Sequence, residues 1–342
     1  MNDTTTVTHF IKSLGASIDS DGHCHFDNTA LEPADNLIAP LSHYGFLETR
    51  GADSAKFLQG QTTCNLDEVS AQQGVTGAYC TPKGRVVSSF RIAASDEQAY
   101  LMRMRRDLVE ATRQAFSKYI VFSKAEQHDT SERYLALGLR GEAAVPAIAA
   151  VFGAVPGGAG QQLLHEGNLA IQLDDDGLLF ELWIQAGDLQ TLWPTLSENL
   201  ALQGSRTWEL LCIRRGFGEV SAATSGEFIP QMLNYEAIGA VSFTKGCYTG
   251  QEVVARMQYK GTMKRRLYRV LIDSPDVKAH DALYRPDSEQ SIGEVVNAVG
   301  LGNKRSEALA VITIKDVEEG TVQAGVGRHP VEVLSLPYAI TN

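Results

Sequence analysis

Runs of β-branched and aromatic residues alternate with turn residues along much of the chain. Val75 to Cys80 and Val86 to Ile92 flank Pro82-Lys83-Gly84 and predict a hairpin. Ala99-Tyr100-Leu101-Met102 predicts a third strand. Asp107 to Tyr119, with Leu108, Ala111, Ala115 and Ile120 near helical spacing, predicts a helix. Three strands followed by a helix point to α+β packing rather than a doubly wound parallel sheet. The first forty residues mix polar turns with one amphipathic run, Phe10 to Leu14. Asp53 is placed to cap a short helix that carries Phe57 and Leu58 inward and stops at Gly60. Val151 to Gly160, with four glycines and a proline, predicts a loop. Asn168–Gln172 and Leu178–Ile184 flank Asp174-Asp175-Asp176-Gly177 as a second hairpin. Asp188 to Gln203 predicts a helix with Leu189, Leu192, Trp193, Leu196 and Leu200 on one side. After Lys264 the runs Leu267–Ile272, Ile292–Val296, Ala308–Ile314 and Val331–Leu336 recur between turns and predict a small all-β module, with a boundary near 262.

Composition narrows the function classes. At 342 residues the chain exceeds one ordinary hydrophobic core. Its 44% hydrophobic content excludes wholesale disorder. Thirty Lys and Arg against 41 Asp and Glu give −11, which excludes a generally basic nucleic-acid coat. Five cysteines (Cys24, Cys64, Cys80, Cys212 and Cys247) are odd in number and form no CxxC pair. They argue against a disulfide framework and a structural zinc site. His23 and His25 around Cys24 are too local to argue for a metal. No repeat, P-loop, GxGxxG, HExxH or GxSxG motif is present. With no secretory pattern at Met1 to Thr4 and no apolar run of about 20 residues, a cytoplasmic protein outside the membrane is expected.

The segment richest in chemistry is Ser242 to Arg256. Thr249 and Glu252 have capping-box spacing, which predicts a helix from Gly250. Cys247 then precedes a helix N-terminus and lies two residues from Lys245; both positive features favour a thiolate. A buried cysteine in a glycine turn is the alternative that spacing leaves open. Trp208 to Gly216 predicts a helix end whose Arg214 and Arg215 either clamp a carboxylate or compensate the helix dipole. Gln231, Asn234 and Tyr235 lie on a polar loop able to hydrogen-bond a flat heterocycle. Lys264-Arg265-Arg266 is the densest basic cluster, a phosphate contact or a solvated strand entry.

Lys245-Gly246-Cys247-Tyr248-Thr249-Gly250-Gln251-Glu252 matches the K-G-C-Y-x-G-Q-E signature of the YgfZ family, folate-binding proteins related to the glycine-cleavage T-protein, an aminomethyltransferase. The resemblance extends from about residue 40 to the C-terminus. It takes in Gly51–Gly60 with Gln61 and Thr62, Pro82-Lys83-Gly84-Arg85, Phe228-Ile229-Pro230-Gln231, Asn234, Ser242-Phe243, Arg256 and Lys264 to Leu267. It implies an α+β, T-protein-like fold: two ferredoxin-like modules around a central channel for tetrahydrofolate, over 1–262 with splits near 48 and 130, and a C-terminal β-barrel over 263–342. It also implies an accessory role in assembling or repairing iron–sulfur enzymes, among them a radical enzyme that thiomethylates tRNA. Cys247 would be the reactive thiol and Lys245 its charge partner. Gln231, Asn234, Tyr235, Tyr248, Gln251, Glu252, Arg214 and Arg215 would serve the folate. Direct tRNA binding is not expected. Two positions depart from the relatives' pattern. Ser88 and Ser89 occupy the places of the T-protein's paired aspartates, which argues against aminomethyl transfer. Leu211-Cys212-Ile213-Arg214-Arg215-Gly216 stands where L-R-x-E-x-G is usual. A one-carbon transferase and a folate scaffold with a structural Cys247 are the alternatives.

Overall fold

The computed structural model describes residues 6–27 and 29–340. In chain order the strands begin with β1 (Ser17–Ile18), β2 (Cys24–His25), β3 (Leu37–Pro40), β4 (Tyr44–Arg50), β5 (Val75–Cys80), β6 (Val86–Asp96) and β7 (Ala99–Arg105). There follow β8 (Glu126–Asp129), β9 (Tyr134–Arg140), β10 (Gln162–His165), β11 (Asn168–Gln172), β12 (Leu179–Gln185) and β13 (Ala201–Leu202). The last are β14 (Arg265–Ile272), β15 (Ala282–Tyr284), β16 (Ser291–Gly300), β17 (Ser306–Thr313), β18 (Gln323–Ala324) and β19 (His329–Leu334). The helices are α1 (Val7–Ser13), α2 (Ser54–Gln61), α3 (Val109–Ile120), α4 (Ala144–Phe152), α5 (Leu189–Leu196), α6 (Ser205–Arg214), α7 (Gln251–Lys260) and α8 (Ile314–Glu318).

The chain forms two compact units that interleave in sequence. Of the described residues, one comprises those within 6–58, 65–75 and 90–208; the other comprises 59–64, 76–89 and 209–340. In the first unit a six-stranded sheet runs β10-β11-β12-β9-β3-β13. One face of it buries Leu137, Leu139, Ala170, Phe180 and Leu182 against α1, α4 and α5, through Phe10, Ile11, Ile148 and Leu196. Gly138 of β9 leaves room for the fully buried Trp208, since a Cβ there would lie 2.3 Å from the indole. Between strands β7 and β12 the buried Arg103 donates to both carboxylate oxygens of Glu181 at 2.7 and 2.8 Å, and Trp183 Nε1 donates to the same carboxylate at 2.6 Å. Arg103 also lies 3.9 Å over the Tyr44 ring. Although burial opposes its charge, Glu181 is held below the usual carboxylate range by Arg103 and Arg91.

The hairpin of β5 and β6 forms where the turn residues predict it, and β6 continues into the order β5-β6-β7-β4-β8. In the second unit β14-β17-β16-β15-β18-β19 close into a barrel, sealed by β14 pairing with β19 from Arg269↔Leu334 to Ile272↔Val331. Closure removes exposed sheet edges and encloses Val270, Ile272, Leu283, Val295, Ala308, Ala310 and Ile312. The mixed α+β class and the C-terminal barrel agree with the sequence pattern.

Several boundaries differ. Val151 and Phe152 end α4 instead of opening a loop, because Ala144, Ala147, Ile148 and Phe152 bury one helical face and Gly153 caps it at φ +75°. The helix expected over 188–203 is α5 alone, which stops at Leu196, two residues after Pro194. Asp53 does not cap α2 with its side chain; its carboxylate accepts from the Lys124 amide at 2.8 Å. No helix among the described residues is long and apolar enough to cross a membrane.

Candidate functional site

Residues 242–250 form a loop whose side chains alternate between the second unit's interior and solvent. Lys245 points in. Its ammonium donates to the carbonyls of Gln59, Thr62 and Cys64 at 2.7, 2.7 and 2.6 Å. An ammonium has three N–H donors, so the end of α2 and the turn after it wrap the charge. The negative end of α2 favours a cation at this place. Tyr248 is also buried, with its ring 5.3 Å from the ammonium, and burial pushes its phenol above the ordinary range. The phenol oxygen has no hydrogen-bond partner among the described residues. Between these two anchors, Gly246 and Cys247 are exposed, and a Cβ on Gly246 would meet nothing within 4 Å. Further ties come from the Ser242 amide to Thr63 O at 2.9 Å and the Thr249 amide to Gly60 O at 3.2 Å.

The helix after the thiol begins one residue later than the sequence predicts, at Gln251. The capping box does not form. Thr249 turns its hydroxyl to Gln61 Oε1 at 3.1 Å, and Gly250 becomes the cap in the left-handed region at φ +85° with no side chain over the helix end. A Cβ on Gly250 would sit 2.4 Å from Thr81 O and 3.2 Å from the Gly84 Cα. Gly84, at φ +70°, is in turn 3.0 Å from Val253 by the same measure. Two glycines thus let the β5–β6 turn lie directly against the start of α7. Both belong to the matched segments, and their mutual contact is what the separate motifs could not reveal.

Cys247 is the one exposed thiol of the five cysteines. Burial pushes Cys80 up to about 12 and also raises Cys24, whose Sγ lies 3.0 Å from Pro40 O. Cys64 is buried with its Sγ 3.5 Å from Thr62 Oγ1, and Cys212 is half-buried.

The remaining candidates divide. Gln231, Asn234 and Tyr235 are buried in and just after the 3-10 helix Pro230–Leu233, and their donors are used within the protein. Gln231 Nε2 donates to Val254 O at 2.7 Å, Asn234 Nδ2 to Leu267 O at 2.9 Å, and the Tyr235 hydroxyl to Gly218 O at 2.7 Å. They fasten this segment to α7, β14 and residue 218. Two amide acceptors are left over: Gln231 Oε1 and Asn234 Oδ1 are buried with no partner among the described residues. Arg214 donates to Glu307 at 3.2 Å, within the second unit, and Arg215 is exposed. Gln251 is half-buried and Glu252 exposed on the first turn of α7. Of the basic cluster, Arg266 is buried, paired with Glu236 and donating to Gln231 O, while Lys264 and Arg265 are exposed. At the two serine positions, Ser89 Oγ accepts from the Val220 amide at 3.0 Å, whereas Ser88 Oγ is buried without a partner among the described residues. Among the described residues no group of three or more His, Cys, Asp or Glu is placed to hold a metal ion.

No family model matches the chain. It is 32% identical over 330 residues to the tRNA-modifying protein YgfZ of Photobacterium profundum, an alignment covering 93% of this chain and 97% of that relative. Among solved structures, the glycine cleavage system aminomethyltransferase T from Bartonella henselae is similar in fold, with a TM-score of 0.75 at 15% identity over 97% of this chain and 96% of that one. The heterotetrameric sarcosine oxidase from Corynebacterium sp. U-96 matches 50% of the chain with a TM-score of 0.35.

Proposed function

The chain belongs to the YgfZ family, and on that premise we propose that it serves tRNA modification as a folate-dependent accessory to iron–sulfur enzymes, with Cys247 as its working thiol. The observation that carries this reading is the loop geometry. Lys245 and Tyr248 are anchored inside the second unit while Cys247 between them faces solvent, the one exposed cysteine of five. A thiol fixed in that manner can meet a group on another molecule without loss of the fold around it. Its backbone is held at both ends, so little order has to be created at the moment of contact.

Tetrahydrofolate is supported more narrowly. A reduced pterin presents ring and exocyclic N–H donors, and the second unit holds two buried, unpartnered amide oxygens on Gln231 and Asn234, with the unpartnered phenol of Tyr248. These three residues would hold the pterin by accepting and donating hydrogen bonds to it. The bound folate would supply one-carbon carrier chemistry. Tyr235 donates its hydroxyl to Gly218 O, which leaves that oxygen only as an acceptor for the pterin. The competing reading, a one-carbon transferase, lacks its acid–base group at the serine positions. The hydroxyls of Ser88 and Ser89 do not supply the carboxylate that such a transfer uses near neutral pH.

The reading is tested in a strain lacking the protein, by measuring thiomethylated tRNA after return of the native chain or of Cys247→Ala. The native chain should restore the modification, and Cys247→Ala should leave it at the level of the deletion while accumulating as folded protein. Full restoration by Cys247→Ala would remove the thiol from the function.

A further inference from the structure

Helix α7 buries Val254 and turns Val253, Arg256, Tyr259 and Lys260 outward. Tyr259 is 69% exposed, and Val253, six residues before it, is 37% exposed. Arg256 and Lys260 are four residues apart, so two like charges sit one above the other on the helix, an arrangement that weakens a helix on its own. The exposed chain then continues to Lys264 and Arg265. None of these four cations forms an ion pair among the described residues. Glu252, four residues before Arg256, is the one carboxylate on this helix. Such a local excess of positive charge stands out on a chain whose net charge is −11. The strip is also joined to the thiol loop, since the Phe243 ring meets the Tyr259 ring edge to face at 6.2 Å and 71°.

We propose that this strip of α7 is the docking surface for an acidic segment of a partner protein, which it brings beside Cys247. The proposal rests on the reading of Cys247 as a working thiol. Charge complementarity names the partner's sign, and the exposed Tyr259 ring offers an apolar side chain of the partner a contact beside the cations. A single-stranded nucleic acid would also be attracted by the cations, but it is held through a series of stacking rings. Here Phe243 is half-buried and edge-on, which leaves Tyr259 as the single exposed ring. A partner protein is therefore the better match.

The test uses the full chain and two fluorescent probes of equal charge, a short peptide of glutamates with interspersed leucines and an oligouridine, followed by anisotropy at low and physiological salt. The peptide should bind, weaken as salt rises, and lose roughly tenfold in affinity in the double variant Arg256→Glu/Lys260→Glu. The milder Arg256→Gln/Lys260→Gln should lose less, and Tyr259→Ala should lose several-fold with unchanged salt dependence. Tighter binding of oligouridine than of peptide would overturn the proposal, as would peptide affinity indifferent to charge reversal or no binding at all. Two controls separate this from the thiol reading. Arg256→Glu/Lys260→Glu should keep the native alkylation rate of Cys247, and Cys247→Ala should keep peptide binding.

Discussion

Replacing Lys245 by Met tests what the signature lysine does. The side chains are similar in length, but the thioether donates nothing, so the carbonyls of Gln59, Thr62 and Cys64 lose the ammonium together. A hydrogen bond from a charged donor contributes about 1.5–3 kcal/mol. Three of them set the gross loss at roughly 5–9 kcal/mol, from which the desolvation cost of burying the ammonium is recovered. Local relaxation and entry of water bring the net effect to about 3 kcal/mol, or roughly a hundredfold in a local opening equilibrium. Hydrogen exchange reads this directly. The amides of Ser242 and Thr249, bonded to Thr63 O and Gly60 O, should exchange about a hundredfold faster in Lys245→Met, while amides shared by β14 and β17 in the barrel stay at their native rates. Lys245→Arg should fall between, because a planar guanidinium cannot meet three carbonyls gathered around one nitrogen. Unchanged exchange in Lys245→Met, together with slowed alkylation of Cys247, would refute the tie and return the lysine to the thiol.

Further outcomes follow from other contacts. Gly250→Ala combines a left-handed backbone with a 2.4 Å approach to Thr81 O and should cost about 2–4 kcal/mol. Gly320→Ala, at φ +74° with open space around it, should cost only about 1 kcal/mol, and equal shifts in urea midpoint for the two would contradict the close packing. Glu181→Gln removes the carboxylate charge paired with the buried Arg103 and should cost about 3–5 kcal/mol, most of it regained in Arg103→Met/Glu181→Leu. A double variant as unstable as the single one would sink that reasoning. His43 is fully buried, stacked on His23 at 4.6 Å, and burial with the charges of His23, Arg105, Arg103 and Arg206 holds it well below the ordinary histidine range. The unfolded chain takes up a proton near pH 6.5 that the folded one refuses. The resulting stability is complete above that pH and drains away as pH falls, by up to about 1.4 kcal/mol per pH unit. Urea unfolding followed by the fluorescence of Trp183, Trp193 and Trp208, all in the first unit, should show this loss between neutral pH and pH 5, and His43→Phe should flatten it. Parallel pH profiles for the two proteins would exclude His43 as the source.

Elements with strong local signals were legible in the chain. The β5–β6 hairpin follows from β-branched runs around Pro82-Lys83-Gly84, and the barrel from short apolar runs between turns after Lys264. Helix α4 was hidden because glycines crowd the loop after it, while its alanine-rich face is recognised only by the sheet it covers. The capping box failed for a similar reason. Thr249 found Gln61, 188 residues earlier, a better-placed partner than its own helix end. At the candidate site the signature drew attention to Lys245 as a charge partner of the neighbouring thiol, and spacing alone could not show the hydrogen bonds that its ammonium makes. The carbonyls that hold it come from residues 59–64, whose only mark in the sequence is the matched segment through Gln61 and Thr62. Gln231, Asn234 and Tyr235 lie on a polar loop in the sequence, and only the fold shows that their donors also fasten the segment to α7, β14 and residue 218.

The most direct measurement is the order in which the five cysteines react with iodoacetamide in the native protein, followed by mass spectrometry of each peptide. Cys247 should be labelled first and at least about tenfold ahead of Cys212, with Cys24, Cys64 and Cys80 reacting only as the protein unfolds. A Cys247 that lags with the buried thiols would contradict its place as the outward-facing working group of the loop.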